Sequence, residues 1–451
     1  MPSRQRSIVA FKNALFTPGL RAAASTRQVK ARVRHSQPSR SSVRFVCRRR
    51  SGLGTRPGIA AAAAIKATAP SPSYAESGVD LDVESASVRA LVKALGAPGR
   101  TPPALGAPAD QLGGFSGLID FGPNTLLALC TDGVGSKLVL ATQLGLYDGI
   151  PYDCVAMNVN DLLCIGAEPL AFVDYIAAPH PEPALWATLG KALGAACRLA
   201  RVTLAGGETA SLPDMVTHLD MSGTALGWLP RGAQLDGRRI EPGDLLLGLP
   251  SSGLHSNGYS LVRKVVARSG ADLNAPPPFD VATEASACMR FMVSGEEHQP
   301  TWSMTTLGQV LLYPTAIYVN PIADLVRLCR EQHAQAPCSY EALHGLAHIT
   351  GGGLSNLLRW RSDLGFDIEN PLPVHPEFRW LQFAAGSISD AEMYRVFNMG
   401  MGMVLVVETS AAAQVCGWLA ERVPGVQIVG RVTESGRVRH CPSGVEYDHY
   451  G

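Results

Sequence analysis

The sequence predicts an α/β or α+β protein whose sheets mix parallel and antiparallel strands. Apolar segments of strand length alternate with amphipathic segments of helix length, which is the first observation behind this class. The second is that several strand-like segments end directly at glycine-rich turns. The third is the lack of any repeat of short period, which argues against a solenoid. Apolar residues make up 46% of the 451 residues, enough for two or three domains with a sizeable core.

The first half of the chain has elements in regular alternation. Ordered structure is expected from about Ser73, and the Gly-, Pro- and Ala-rich residues 96–114 are expected to form a loop. Strands are predicted at residues 125–131, 170–177, 202–205 and 221–228, and helices at residues 137–145, 154–165 and 182–200. The second strand is expected to break at Asp174, and the third to end before the GGE sequence of residues 206–208.

A new unit is expected to begin at residue 229. The predicted organisation is therefore a disordered leader at residues 1–70, an N-terminal domain at 71–228 and a C-terminal domain at 229–451. In the last domain, strands are predicted at residues 245–249 and 403–408, a helix from Tyr259, a strand, glycine turn and helix within 347–361, and a loop at 274–303.

The leader has an unusual composition. Residues 1–75 contain fifteen Lys and Arg and no acidic residue, in a segment rich in Arg, Ser and Ala. This composition is typical of an organellar transit peptide, and the apolar core of a secretory signal is not seen near its start. We therefore expect the chain in the chloroplast, in the plastid stroma. The mitochondrion stays open as a destination, and a plain basic tail is the alternative.

The charge of the remaining chain excludes some classes of partner. Residues 76–451 carry 24 basic and 38 acidic side chains, which argues against a body built to bind nucleic acid or an anionic membrane. No run of 18 apolar residues is present, so no membrane-spanning helix is expected. Ten cysteines are scattered without CxxC or zinc-type spacing, and we interpret them as reduced and structural.

The sequence TDGVGSK at residues 131–137 combines an acid, two glycines and a lysine at the end of a predicted strand. Gly133 and Gly135 let the backbone turn sharply with its N–H groups exposed. Asp132 offers oxygen ligands for Mg²⁺, and Lys137 offers a point charge for phosphate. The pattern favours a site for a metal-bound polyphosphate, with a tight turn bearing solvated side chains as the alternative.

Two further acids could complete such a site. Asp161 lies among apolar residues of a predicted helix, where an unpaired carboxylate would be costly, so a metal shared with Asp132 would provide a partner. An unseen Arg partner or contact with water is the alternative. Glu208 follows a predicted strand and two glycines, and it could bind the same metal or be an ordinary turn residue.

The second unit has two polar turns at predicted strand ends. SSGLHSNG carries His255, Ser256 and Asn257 just before a helix, and ITGGGLSN at 349–356 repeats the design. Backbone N–H groups at a helix start attract anions, so both turns are candidates for binding phosphate. Glycine-rich turns are common, and His255 alone could equally be a capping or core histidine.

Eight segments, in order along the chain, resemble the phosphoribosylformylglycinamidine cyclo-ligase family, the aminoimidazole ribonucleotide synthetases of purine biosynthesis. They are SYAESGVDLD (73–82), LGGFSGL (112–118), TDGVGSKL (131–138), NDLLCIGAEPLAFVDYIA (160–177), GGETASLPDM (206–215), SSGLHSNGYSLVRKV (251–265), HITGGGLSN (348–356) and EMYRVFNMGMGM (392–403). The resemblance covers the chain from about residue 73 to the late 430s. Eight collinear segments are far more specific than any single motif.

The resemblance implies an enzyme that uses ATP to cyclise formylglycinamidine ribonucleotide to 5-aminoimidazole ribonucleotide, with release of ADP and phosphate. ATP would activate the formyl amide oxygen, after which a nearby nitrogen attacks and phosphate leaves. The implied cofactors are ATP and Mg²⁺. The implied fold has an N-terminal domain whose mixed sheet forms a barrel in a homodimer, with ATP near that interface, and a C-terminal α/β domain.

The resemblance also implies roles for individual residues. Asp132 and Asp161 match the leading Mg²⁺ ligands, with Glu208 near them, and Lys137 matches a phosphate contact. A flexible loop expected to close over the nucleotide contains Gly113, Gly114 and Phe115. The residues assigned to the substrate are His255, Ser256, Asn257, Gly351, Gly352, Gly353 and Asn356, with the glycines on its ribose phosphate and His255 as the proton acceptor.

Other ATP-using relatives of the same fold form the alternative. A selenophosphate synthetase would carry a reactive Cys or selenocysteine in its N-terminal loop, and LGGFSGL has neither. A hydrogenase-maturation relative would end in a thiol-bearing tail, whereas this sequence ends in EYDHYG. Two departures from the family pattern are Ser116, where a smaller residue is expected, and residues 280–303, which look like an insertion.

Overall fold

The computed structural model describes residues 78, 81–95, 97–109, 114–281 and 302–450, and all of them belong to one compact unit. The predicted leader, Gly113 and most of the predicted loop at 274–303 lie outside these ranges. The predicted domain boundary at residue 228 stays a prediction, since the described residues are not divided there.

The first half of the described chain alternates strands with helices, as predicted. Its elements are α1 (Leu81–Ala94), β1 (Gly117–Asp120), β2 (Thr125–Gly133), α2 (Lys137–Leu144), α3 (Ile150–Cys164), β3 (Glu168–Ala178), α4 (Pro183–Leu199), β4 (Thr203–Ser211) and β5 (Asp220–Pro230). Helix α2 ends because Gly145 takes a left-handed conformation with φ of 67°.

Strands β1 to β5 form a mixed sheet in the order β1-β2-β5-β3-β4. All neighbours are antiparallel except β3 and β4, which are parallel. Because side chains alternate between the faces, Ala128 and Phe172 are buried on one face while Leu129, Val173 and Tyr175 are exposed on the other. The described strands of this single chain form an open sheet. The predicted barrel needs a second copy and stays a prediction.

The second half contains the remaining elements. They are β6 (Leu245–Pro250), α5 (Tyr259–Ser269), α6 (Leu307–Leu311), α7 (Val319–Arg330), a 3₁₀ turn (Tyr340–Ala342), β7 (Leu343–His348), a 3₁₀ helix (Gly353–Arg359), β8 (Gly365–Ile368), α8 (Pro376–Phe383), α9 (Asp390–Val396), β9 (Met401–Val407), α10 (Thr409–Ala420), β10 (Gln427–Thr433), β11 (Val438–His440) and β12 (Val445–Tyr447). Helix α7 forms because Val319, Ile322, Val326 and Cys329 are buried at helical spacing.

The second sheet has the order β12-β11-β8-β10-β6-β9-β7 and is also mixed, since β8 and β11 are parallel. Its central strands are apolar and buried throughout, as β9 illustrates. Helix α3 connects the two halves because it packs against β2, β3 and β5 of the first sheet and against β7 and α7. Nearly every residue of α3 is buried, so its polar side chains lie where unpaired charge is costly.

Two local predictions were wrong. Strand β3 continues through Asp174 instead of breaking there, and β4 continues through the GGE sequence instead of ending before it. The two strands pair along most of their length, and ladder hydrogen bonds hold Gly206 and Gly207 extended. The helix predicted after the second glycine turn is present, as a 3₁₀ helix. Within the described ranges, no helix combines the length and apolar character needed to cross a bilayer.

Candidate active site

Two of the acids predicted as metal ligands lie beside the same buried thiol. Asp132 is near the end of β2, and Asp161 is in the last turn of α3. Cys130, on the same face of β2 as Asp132, has its Sγ 4.0 Å from Asp161 Oδ2. Burial raises the pKa of the Cys130 thiol, and the charges of Asp161 and Asp132 raise it further. The structure therefore brings the two carboxylates together.

The neighbouring carboxylate changes the acidity of Asp132. Burial raises the pKa of Asp132 to about 6, and the negative charge of Asp161 is the second cause. The backbone N–H of Gly133 donates to Asp132 Oδ1 at 2.7 Å and partly opposes this rise. A divalent cation bound between two such carboxylates would remove their mutual repulsion.

His348, the last residue of β7, orients Asp161. Its ring is buried, and its Nδ1 lies 2.9 Å from Asp161 Oδ1. Its Nε2 lies 3.4 Å from Nδ2 of Asn160, an atom that can only donate. Nε2 therefore accepts, and Nδ1–H of the neutral ring donates to the Asp161 carboxylate. Asn160 is fixed in turn, because it donates to the carbonyl of Ala316 and accepts from the N–H of Tyr318.

Glu208 does not join this pair. The strand register places Asp132 and Asp174 in one row with Gly223 between them, so both side chains point to the same face of the sheet. Glu208 pairs with Tyr175 and points to the opposite face. The predicted third metal ligand is therefore not supported, because the GGE sequence lies within a strand whose register turns Glu208 away.

Asp174 is an acid that the sequence analysis did not assign to the site. It shares the face of Asp132, and burial raises its pKa to about 6. A Cβ added at Gly207, its partner on β4, would lie 2.3 Å from Asp174 Oδ1. The glycine is therefore needed beside this carboxylate, and an acid within an otherwise apolar strand was the sequence signal that could have identified it.

Lys137 is a buried structural cation. Its Nζ forms an ion pair with Asp153 at 2.8 Å and donates to the carbonyls of His255 and Tyr313, each at 2.9 Å. Both charged side chains are 0% exposed. The three hydrogens of the ammonium thus have three acceptors within the protein. This geometry argues against the predicted phosphate contact by Lys137.

His255 has no lone pair left for accepting a proton. Its Nε2 accepts the backbone N–H of Ser252 at 3.1 Å, so Nδ1 carries the proton in the neutral ring. Burial lowers the pKa of His255 well below its usual value, and the nearby charge of Lys137 lowers it further. The predicted role of His255 as proton acceptor is therefore not supported by its surroundings.

The two polar turns of the second half lie side by side. A Cβ added at Gly351 would lie 3.2 Å from Asn257 Oδ1, so the two turns touch. Asn356 has a structural part, since its Nδ2 donates to the carbonyls of Gly351 and Gly353. Ser256 Oγ lies 3.1 Å from the hydroxyl of Thr315.

Gly352 and Gly353 are buried and left-handed, with φ of 92° and 54°, a backbone conformation that other residues could rarely adopt. The two turns meet at Asn257 and Gly351, which are both partly exposed.

Arg359 joins the N-terminal loop to the 3₁₀ helix that follows the glycine turn. Its Nη2 donates to the carbonyl of Gly114 at 2.8 Å, and its guanidinium lies 4.0 Å from the ring centre of Phe115. Tyr450 lies near it at 5.1 Å. Its charge also lowers the pKa of Asp132, against the larger effect of burial. Sequence reasoning missed Arg359 and His348, although both adjoin the glycine turn.

Among the described residues, no group of three or more His, Cys, Asp or Glu side chains is arranged to hold a metal ion. The Asp132–Asp161 pair nevertheless fits Mg²⁺. This ion is commonly bound by one or two carboxylates, with substrate phosphates and water as its other ligands.

Comparison with family models covers most of the chain. Residues 113–229 match the AIR synthase related protein, N-terminal domain, and residues 241–440 match the AIR synthase related protein, C-terminal domain. The two mixed sheets and the paired acids at their junction thus belong to the AIR synthase class of proteins.

Curated relatives define the family more narrowly. Phosphoribosylformylglycinamidine cyclo-ligase of Methanosarcina acetivorans is 39% identical over 363 residues, which cover 80% of this chain and 95% of the relative. The enzyme of the same name from Thermococcus kodakarensis is 37% identical over 383 residues, which cover 84% and 98%. The chain belongs to the phosphoribosylformylglycinamidine cyclo-ligase family.

The solved structures that this chain resembles are more distant in sequence. Thiamine-monophosphate kinase from Stenotrophomonas maltophilia has a TM-score of 0.48 and 17% identity, and covers 80% of this chain and 96% of its own. Hydrogenase maturation protein HypE in complex with ATP also has a TM-score of 0.48 and 17% identity, with coverage of 80% and 93%.

Proposed function

We propose that the protein cyclises formylglycinamidine ribonucleotide to 5-aminoimidazole ribonucleotide in purine biosynthesis, with ATP converted to ADP and phosphate. The observation that carries this proposal is the 39% identity to a curated cyclo-ligase over 95% of that enzyme's length. The paired carboxylates and the adjacent glycine turn supply what the reaction requires, an anchor for a metal-bound nucleotide and a place for a substrate phosphate.

Asp132 and Asp161 are the residues that would hold Mg²⁺ with ATP. When bound, Mg²⁺ draws charge from the phosphates of the nucleotide. His348 donates to Asp161 Oδ1 and so keeps that carboxylate in one orientation, a support that metal-binding carboxylates usually have.

The glycine turn is the proposed place for the ribose phosphate of the substrate. The backbone N–H groups of Gly351 and Gly352 are the proposed donors to the phosphate oxygens, with no side chain in the way, since the N–H of Gly353 already donates to the carbonyl of Thr350 at 2.9 Å. Asn257 lies next to this turn and can orient the same ligand. Holding the two reacting parts of the substrate close together provides much of the rate in a cyclisation. The group that accepts the proton is left open, since neither ring nitrogen of neutral His255 is free to do so.

The decisive experiment measures ADP release by the purified protein with ATP, Mg²⁺ and formylglycinamidine ribonucleotide. We expect ADP release that requires the substrate and matches the imidazole formed. Asp132→Asn should lower turnover at least about 100-fold. Removing a residue that only supports a metal ligand typically costs about 10- to 100-fold in activity, and loss of the ligand itself should cost more.

The matched control is Asp272→Asn, at an exposed loop residue whose Oδ1 accepts from the N–H of Asn274. Its turnover should equal that of the wild type. If wild-type ADP release did not depend on formylglycinamidine ribonucleotide, this would contradict the proposed activity. Full turnover of Asp132→Asn would show that Asp132 is not part of the site.

We also propose that the protein is a homodimer formed through the outward face of the first sheet. Leu129, Val173 and Tyr175 on this face are 40%, 40% and 38% exposed, an apolar surface at the centre of the sheet. A second copy is the proposed occupant, because two identical apolar faces can cover each other across a two-fold axis. The open edges of the two sheets would then close into the expected barrel.

We further propose that residues 1–70 direct the chain to the plastid stroma, on the basis of their basic, acid-free composition. A fluorescent protein fused after residue 70 should accumulate in the plastids of leaf cells. Fluorescence in mitochondria would assign the second destination, and diffuse fluorescence would contradict a targeting role.

A further inference from the structure

Two cysteines of the second half are in direct contact. Cys329 lies in the last turn of α7, and Cys338 lies nine residues further on, before the 3₁₀ turn that leads into β7. Their Sγ atoms are 3.6 Å apart. A disulfide bond is about 2.05 Å long, so the two sulfurs would have to approach each other by about 1.5 Å.

The pair differs from the other described cysteines. All eight described cysteines are free, and Cys329 and Cys338 form the one sulfur–sulfur contact among them. Cys130 and Cys164 instead contact oxygen atoms of Asp161 and Asn160. The pair is therefore set apart by the direct hydrogen-bond contact of its two sulfurs and not by burial alone.

The surroundings allow both access and movement. Cys338 is half-buried while Cys329 is buried, so a reagent in solution meets Cys338 first. The connecting residues 331–335 are all exposed, so the loop can adjust without disturbing the core. One thiol is thus accessible to a reagent, and the other is held where it can react with the first.

We propose that Cys329 and Cys338 are a site of reversible disulfide formation that reacts with low-molecular-weight disulfides. Cys338 is the thiol that reacts first because it is the accessible one, although its hydrogen bond to Cys329 and its burial raise its pKa and so slow this step. Once deprotonated, it attacks the reagent disulfide, forms a mixed disulfide and releases one reagent thiolate. The Cys329 thiolate then attacks Cys338 Sγ, forms the internal disulfide and releases the second. The two protein thiols lose two electrons and two protons, and the reagent disulfide is reduced to two thiols.

The bond would fix a junction between the two halves of the protein. Arg330, next to Cys329, lies over the Trp228 ring of β5 at 5.6 Å. Tyr340, two residues after Cys338, donates through its hydroxyl to the carbonyl of Ala233 at 2.5 Å. The two ends that the disulfide would join therefore contact the end of β5 and the segment that follows it toward the second sheet. The oxidised protein should unfold at a higher temperature, by a few degrees, because the bond constrains the unfolded chain.

The test treats the reduced full-length protein with oxidised glutathione, blocks the remaining thiols with a maleimide and identifies the products by peptide mass spectrometry. We expect one peptide pair joined through residues 329 and 338 that has lost two hydrogen atoms. Two molecules of reduced glutathione should form for each internal disulfide, in addition to one for each glutathione adduct on another thiol. A dithiol reductant should restore both thiols.

Three variants separate this chemistry from general thiol reactivity. Cys329→Ser should stop at a glutathione adduct on Cys338, and Cys338→Ser should leave Cys329 unmodified because it is buried. Cys416→Ser is the matched control at another half-buried thiol, and it should form the same internal disulfide as the wild type. A wild-type protein that keeps glutathione on Cys338, or in which neither thiol reacts, would overturn the proposal.

Discussion

Lys137 and Asp153 form an ion pair that the protein excludes completely from water. Burial lowers the pKa of Lys137 and raises that of Asp153, and the charge of each partner opposes the shift of the other. Asp153 is further stabilised by the N–H and hydroxyl of Thr315, at 2.8 and 2.6 Å. Such a pair fixes α2 and α3 to the loop around Tyr313. Lys137 therefore stabilises the fold, a role that its position after a glycine turn in the sequence did not indicate.

Lys137→Met is expected to destabilise the protein by about 3–5 kcal/mol, because it leaves Asp153 buried without its cation. Urea unfolding measures the change. Lys191→Met, at an exposed position of α4, is the control and should change stability by less than about 0.5 kcal/mol. Unchanged stability of Lys137→Met, together with a raised KM for ATP, would restore the phosphate role.

Glu377 is a buried acid at the start of α8 whose two carboxylate oxygens have no hydrogen-bond partner in the described structure. It is 1% exposed, and burial raises its pKa to about 7. The folded protein thus binds a proton more tightly than the unfolded chain does. The contribution of Glu377 to stability is full below about pH 4.5 and declines as pH rises to about 7.

Glu377→Gln should remove this decline. The stability of the variant relative to wild type should rise between pH 5 and 8, as measured by urea unfolding at each pH. The neighbouring His375, whose pKa burial lowers to about 4, is present in both proteins and cancels in the difference. Glu421→Gln at an exposed site of the α10 terminus should show no such trend. If the difference in unfolding free energy between Glu377→Gln and wild type stayed constant from pH 5 to 8, this would contradict the raised pKa of Glu377.

At the scale of elements, the glycine turn between β7 and the 3₁₀ helix determines the shape of the proposed phosphate site. Gly353 has φ of 54°, and a Cβ there would lie 1.8 Å from the carbonyl oxygen of Tyr394 in α9. No side chain fits without moving one of the two segments. The close approach explains why a 3₁₀ helix follows the turn, since α9 packs against this helix.

Gly353→Ala is expected to lower stability by about 2 kcal/mol or more, since it combines backbone strain with a steric clash. It should also raise KM for the nucleotide substrate that carries the ribose phosphate. Gly417→Ala in α10 is the control, because no atom lies within 4 Å of the added Cβ and alanine favours the helix. The control should be more stable than wild type by up to about 1 kcal/mol. Calorimetry and steady-state kinetics report both effects, and an unchanged melting temperature of Gly353→Ala would contradict the packing argument.

At the scale of the whole molecule, one buried helix and one exposed sheet face organise the site. Helix α3 carries Asp161 between the two sheets, where His348 from the second sheet reaches it. The opposite face of the first sheet is left exposed, with Val173 near its centre. The site is thus assembled from both halves of the chain, and the outward sheet face is available to a second copy.

Val173→Glu is expected to weaken the proposed dimer at least about 100-fold, because it would bury two unpaired charges at a symmetric interface. Sedimentation across a range of concentrations measures the dissociation constant. Phe383→Glu adds the same charge at an exposed apolar residue of the second half and should leave the dimer intact. A wild-type protein that is monomeric at micromolar concentration would contradict the proposed interface.

The amino-acid sequence alone was sufficient for the family, the α/β class, the mixed sheets and most element positions. Local patterns carry this information because apolar periodicity and glycine turns act within a few neighbouring residues. The sequence also predicted that Asp132 and Asp161 share a partner, since an acid within an apolar segment needs one wherever the fold places it; the structure places the two acids near each other, and their role as metal ligands stays a prediction.

Only the tertiary structure decided which side chains meet. Strand register places Glu208 on the face opposite to Asp132, and Asp174 on the same face as Asp132. A register shift of one residue would have reversed both placements. Packing of distant segments gave Lys137 three acceptors and placed His348 against Asp161. These contacts join residues more than a hundred positions apart in most cases, so no local pattern encodes them. The physical reason is that burial and partner distance, which set the charge and orientation of each group, exist only in the folded chain.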